Sequence, residues 1–159
     1  MKPFINLDDL EMEGEFADGS FQQRFGEIAS KIGARKLGYN LTIVPPGKRP
    51  GPYHNHRNNE EMFFIIDGTG LLRFGRNEYP IRRNDVIACP PGGRDVAHQF
   101  LNTGDIDLRY LAVSTVDPVE IAEFPDSNKV MSYVGHGWQK DFRHISRADQ
   151  AVDYMDGES

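Results

Sequence analysis

The stretch Gly51-Pro52-Tyr53-His54-Asn55-His56-Arg57-Asn58-Asn59-Glu60-Glu61 decides how this chain is read. His54 and His56 are two residues apart, and on an extended strand such neighbours point to the same face. Their α-carbons are then separated by roughly 6.6 Å, close enough for two imidazoles to converge on one ion. On a helix the same residues diverge by about 200°, so the spacing carries chemistry only on a strand.

Outward from this stretch the text breaks into short β-like runs separated by Gly, Pro, Asn and Asp. Residues 37–44 alternate and stop at Pro45-Pro46-Gly47, and residues 61–66 are rich in β-formers and close at Asp67-Gly68-Thr69-Gly70. Further runs fall at 71–74, 79–81 and 86–89. Residues 98–101 and 108–114, with a turn at Asn102-Thr103-Gly104-Asp105, read as a hairpin. This spacing predicts an all-β, antiparallel sandwich or barrel over residues 21–135. Residues 1–20 form an acidic arm with Lys2 as their sole basic residue, packed at an edge or partly disordered. In the tail, 136–159, Ile145, Ala148, Val152 and Met155 recur at helical spacing behind Ser146 and predict a short helix packed on the barrel.

The bulk properties narrow the function classes. A length of 159 residues suits one domain with one core. The net charge of −6, with scattered Lys and Arg, argues against nucleic-acid binding. Met1-Lys2-Pro3-Phe4-Ile5 lacks a signal-peptide core and no apolar run could span a bilayer, so a cytoplasmic protein without membrane contact is expected. Cys89 is the single cysteine, which fits a reducing compartment, and its place in Val86-Ile87-Ala88-Cys89 predicts a buried, inert thiol.

Alternation places Glu61, Phe63 and Ile65 on one face and Met62, Phe64 and Ile66 on the other. If 54–56 and the strand beginning at Glu61 are adjacent antiparallel strands, a carboxylate is aimed at two imidazoles. A buried carboxylate requires a cation or hydrogen-bond donors. His98 is the candidate fourth ligand from across the barrel, with Phe100 sharing its face and Gln99 turned away. Glu60 is a rival to Glu61. Three imidazoles and a carboxylate suit Mn, Fe, Zn, Ni or Co better than Mg or Ca. Four protein ligands leave two positions for water or a bidentate substrate.

The pattern resembles the cupin superfamily. Its first motif reads here as Gly47, His54-Asn55-His56, Glu61 and Gly68, and the spacing to Gly68 favours Glu61 over Glu60. The second reads Asn84-Asp85, Pro90-Pro91-Gly92, His98 and Asn102, with Asn84 where glycine is usual and 93–97 lengthening the gap before His98. Asn tolerates a left-handed turn, and the longer gap enlarges a loop at the barrel mouth. The resemblance covers residues 37–115 and implies a jelly-roll (double-stranded β-helix) barrel with one internal divalent metal site, His54, His56, Glu61 and His98. It also implies a homodimer, and some relatives are sugar-phosphate isomerases.

The function expected is a metal-dependent enzyme of isomerase or dioxygenase type acting on a small, oxygen-rich molecule. Isomerisation through an enediolate, or with Fe or Mn an oxygen-dependent cleavage, are its two branches. The alternative is a non-catalytic module that binds a sugar or small acid. No general base is identifiable, because Glu61 is assigned to the metal. Tyr53 is expected to point away from the ion, His136 and His144 to lie at the surface, and Lys48, Arg49 and Arg94 to flank the mouth, where one could meet an anionic substrate.

Overall fold

The computed structural model describes residues 2–135 and 141–158. The chain runs through β1 (Gly14–Asp18), β2 (Phe21–Glu27), a one-turn helix α1 (Ala29–Ile32), β3 (Leu37–Val44), β4 (Asn55–His56), β5 (Glu61–Asp67) and β6 (Thr69–Phe74). It continues through β7 (Asn77–Arg82), β8 (Val86–Cys89), β9 (His98–Asn102), β10 (Leu108–Thr115), β11 (Val119–Phe124), β12 (Lys129–Val134) and β13 (Phe142–Arg147). The strands pair antiparallel in three sheets, ordered β1-β2-β3-β10-β5-β8, β13-β12-β11-β4 and β7-β6-β9. This is the expected all-β barrel. Among the described residues no helix is long and apolar enough to cross a membrane.

Alternation along the large sheet sorts its side chains. Val44 of β3, Phe63 and Ile65 of β5, Cys89 of β8 and Tyr110 of β10 face inward and meet Leu72, Ile81 and Phe100 from the smaller sheets in one buried cluster. The opposite face of the sheet, Leu41 and Ile43 of β3, is covered by Leu10 and Ile28, and β1 pairs with β2 at the end of the sheet. The inward polar residues Asn40 and Thr42, in register with Ala112 and Tyr110, line one cavity with Glu61 at the start of β5.

The motif turns behave as their chemistry requires. Gly68 has φ 84°, and a Cβ there would come 2.6 Å from the Asp107 carbonyl oxygen. Asn84 has φ 73°, the left-handed conformation its glycine-like position needs. Asn84→Val is therefore expected to cost about 1–2 kcal/mol and Asn84→Gly well under 1 kcal/mol, as read by urea denaturation. The longer gap before His98 is taken up by a single 3-10 turn, Arg94–Val96, which leaves His98 on β9.

Three expectations are corrected. The segments 98–101 and 108–114 are not a hairpin: β9 pairs with β6, while β10 pairs with β3 and β5. The Asn102 amide explains the crossing, donating to the Val44 and Ile106 carbonyls and accepting from Gly104 N, so the turn is pinned between sheets. β4 is not adjacent to β5 either. It pairs with β11, and His54 bridges His98, so the His-x-His pair faces Glu61 from another sheet. Finally, the tail holds a three-residue 3-10 turn, Ala148–Gln150, in place of the packed helix. Ile145 and Ser146 are drawn into the β12–β13 ladder, and Val152 and Met155 are exposed, so the stripe buries nothing.

Candidate metal centre

Each side chain of the predicted set arrives on a different support. Glu61 opens β5 with its side chain inward, opposite Cys89 on one flank and Ser114 on the other. His98 opens β9 and is buried, sharing its face with Phe100. His54 is held by a two-way backbone bridge to His98, with N···O distances of 3.1 and 2.7 Å. His56 stands on β4 opposite Ala122 of β11.

Ligand atoms of His54, Glu61 and His98 all lie within 4.8 Å of one another, a grouping that could hold a metal ion. His98 Nε2 is 3.0 Å and His56 Nε2 3.5 Å from Glu61 Oε2. The imidazole centroids of His54 lie 5.1 Å from that of His56 and 4.8 Å from that of His98. Donors around an ion bound at about 2.1 Å are roughly 3 Å apart, the order of the His98–Glu61 and His56–Glu61 separations, while the grouping within 4.8 Å takes in His54, Glu61 and His98 without His56. Glu61 Oε2 and His98 Nε2 are buried without a hydrogen-bond partner despite their proximity. Buried polar atoms are rarely left so, and three imidazoles with one carboxylate fit a first-row divalent ion.

The surroundings fix protonation and tautomer. His54 Nδ1 lies 2.8 Å from the Pro52 carbonyl oxygen, so Nδ1 carries the proton and Nε2 keeps its lone pair. Burial, then the neighbouring His98, push the His54 pKa down to about 4, which keeps the ring neutral near pH 7. Burial also lowers His56, but Glu120 and Glu61 outweigh it and the net direction is upward. Burial alone would raise Glu61; His98, His56 and His54 reverse this and hold it at about 2. Cys89 is buried and pushed up to about 12 by burial and Glu61, an inert thiol as expected.

Glu120 is the residue that sequence reading missed. It is fully buried on β11, and its Oε2 lies 3.5 Å from His56 Nδ1. Its Oε1 accepts the backbone N–H of Arg57 and Asn58 at 3.0 Å and of Ile121 at 2.8 Å, and its Oε2 accepts Asn59 N at 2.8 Å. One carboxylate thus shapes the loop between the His pair and Glu61 and sets a negative charge beside His56. The available signal was the strand Val119-Glu120-Ile121-Ala122, where the charged residue, not Val119 or Ile121, takes the inward phase.

The other expectations resolve as follows. Tyr53 points away, its hydroxyl donating to the Gly75 carbonyl under Arg73. Lys48 donates to the Gly19 carbonyl and Arg94 pairs with Glu123, and neither they nor Arg49 line the cavities at the centre. His144 is exposed on β13, and His136 lies outside the described residues. Two cavities meet at Glu61. One of about 200 Å³ touches His54, His98, Thr42, Gln99 and Tyr110. The other, of about 490 Å³, touches His56, Asn59, Ser114, Tyr133 and Arg143.

Comparison with known proteins agrees with this geometry. A cupin domain model matches residues 40–114. The oxalate-binding protein of Thermotoga maritima is 34% identical over 70 residues, 44% of this chain and 54% of that protein. The chain spans about half the length of the curated relatives it matches. Among solved structures, one from Acidithiobacillus ferrooxidans superposes with a TM-score of 0.82 at 20% identity, covering 96% of each chain. The sugar phosphate isomerase from Silicibacter pomeroyi superposes at 0.78 with 23% identity, covering 97% of this chain and 98% of its own. At such identities the likeness shows the fold. Motifs, barrel and matched segment agree that residues 40–114 are similar to a cupin domain.

Proposed function

We propose that the protein is a metal-dependent enzyme of isomerase type acting on a small, oxygen-rich molecule, with His54, His56, Glu61 and His98 holding one divalent first-row ion. The observation that carries this reading is the buried Glu61 carboxylate, unpartnered at Oε2 and surrounded by three imidazoles where two cavities meet. When bound, such an ion supplies Lewis-acid polarisation of a carbonyl or hydroxyl oxygen. The chain's own contribution is orientation. Pro52 sets the His54 tautomer, Glu120 places a carboxylate 3.5 Å from His56, and Asn40, which accepts a hydrogen bond from Thr42 at 2.9 Å, lies beside Glu61. Two neighbours that superpose over nearly the whole chain, one of them a sugar phosphate isomerase, support the isomerase branch over the dioxygenase branch.

A non-catalytic binding module is the second reading, favoured by one observation. Tyr110 and Cys89, the buried ionisable groups beside Glu61 that are not imidazoles, are both pushed upward, so neither serves as a base near neutral pH. The test is conversion of sugar phosphates, followed by NMR, with protein loaded in turn with Mn, Fe, Co, Ni and Zn. Turnover that disappears in Glu61→Gln supports the enzyme. Ligand-dependent thermal shifts without turnover by any loaded form support the module.

Metal retention is expected to fall as pH drops below about 6.5. His56, shifted upward, takes a proton first, and His54, held at about 4, follows. Retention measured by dialysis and elemental analysis that is unchanged at pH 5 contradicts imidazole ligation.

A further inference from the structure

The larger cavity at the centre has walls that the cupin domain does not supply. Its floor is His56 and Glu61, within residues 40–114, but Glu27 of β2, Asp117 after β10, Tyr133 of β12 and Arg143 of β13 all lie outside that segment. The smaller cavity is the reverse, lined almost wholly by residues of the domain. At about 490 Å³ the larger space falls within the size range of small-molecule sites, whereas about 200 Å³ falls below it.

The lining chemistry is specific. Asn40 and Ser114 offer amide and hydroxyl groups, Tyr39 and Tyr133 offer aromatic rings, and Asn59 is engaged by Glu120, Thr115 and Asp117. Glu27 accepts Ser30 N at 3.3 Å through one oxygen and Asp117 accepts Val119 N at 2.9 Å through one, so each carboxylate keeps lone pairs for a ligand hydroxyl. Such a mixture of acceptors, donors and ring faces matches a polyhydroxylated ligand. Arg143, paired in register with Tyr133, is the cationic group of the wall outside the centre itself. Ion pairs of the described residues engage Arg24, Arg57, Arg73 and Arg94, and none engages Arg143. An unpaired guanidinium in a ligand-sized cavity is suited to a carboxylate or phosphate.

We infer that the cavity on the His56 side is the substrate chamber, that it takes a small polyhydroxylated anion, and that Arg143 binds the anionic group. This rests on the metal-enzyme reading and names its substrate class. The domain provides the ion, and the strands flanking it provide selectivity. The phosphate or carboxylate lies at Arg143, and the hydroxyl-bearing end reaches Glu61.

The experiment is calorimetric titration of the full, metal-loaded chain with glucose 6-phosphate, gluconate, glucose and inorganic phosphate, with the metal content of every sample measured. Binding of glucose 6-phosphate or gluconate is expected to be at least tenfold tighter than binding of glucose, and the stronger of the two identifies the anion. Arg143→Gln should lose that tenfold advantage with metal content unchanged, and Arg143→Lys should keep part of it. Arg143 is exposed on an edge strand, so these variants should fold. Equal affinity of Arg143→Gln and wild type, glucose as tight as the anions, or no binding of any sugar overturns the inference. Wild-type protein that holds no ion overturns the metal-enzyme reading and this inference with it, whereas normal metal content and turnover with an indifferent Arg143 overturns this inference alone.

Discussion

Replacing Glu61 by glutamine is expected to lower metal affinity by more than about 100-fold while the barrel stays folded. The bound is conservative, because partners that merely orient metal ligands are each worth about 10–100-fold. Glu61 contributes the set's one anionic donor, and its Oε2 lies within 3.0 and 3.5 Å of two imidazole nitrogens. Glutamine keeps the shape and removes the charge. The apolar cluster adjoins Glu61 through Cys89 and Phe63, and because glutamine is isosteric its packing is kept. His98→Ala should act in the same direction on metal. It also opens a cavity against Phe63, whose ring lies 5.7 Å from the imidazole, and so should lower the unfolding free energy by about 2–4 kcal/mol as well. Competition with a chromogenic chelator reads the first effect and urea denaturation the second. Glu61→Gln that retains metal like wild type would remove the carboxylate from the set.

Glu120→Ala carries the largest expected effect on stability. The substitution strips the acceptor from the backbone N–H groups of Arg57, Asn58, Asn59 and Ile121 at a fully buried position. Arg57 N retains the Ile121 carbonyl at 2.9 Å as a second acceptor. Removing one side of such a buried charged network costs about 3–5 kcal/mol, a large share of the stability of a small domain. The linkage sign follows from its carboxyl group. Burial would raise it, but His56 and the Asn58 and Asn59 amides hold it at about 2, below its unfolded value of 4.5. Its contribution is therefore complete above about pH 4.5 and is lost as pH falls from there towards 2. Wild-type protein should lose stability more steeply than Glu120→Gln in that window. Glu120→Gln should also weaken metal binding about 10–100-fold, because the amide no longer sets a negative charge 3.5 Å from His56. Parallel acid titrations of the two proteins would deny Glu120 this role.

How much of this was legible beforehand depends on the range of the interaction involved. Period-two alternation placed Glu61, Phe63 and Ile65 inward correctly, because a strand with one buried face fixes its own phase. Asn84 was readable as a glycine substitute for the same local reason. Strand partners were not local. The segments flanking Asn102 looked like a hairpin until the Asn102 amide, bonded to Val44 and Ile106, carried the chain into another sheet. The tail misled because Ile145 and Val152 fit a helical stripe, yet β12 offered a ladder that the stripe could not match. Glu120 and Arg143 stayed invisible for a related reason. Each reaches the centre only after β11, β12 and β13 have assembled beside β4, and neither sits in a motif of the domain.

The most direct measurement is elemental analysis of wild-type, Glu61→Gln and His98→Ala protein purified without added metal and then offered Mn, Fe, Co, Ni and Zn. The account predicts about one first-row divalent ion per wild-type chain and nearly none in either variant. Wild-type protein that takes up no ion, or variants that hold the ion as wild type does, would contradict it.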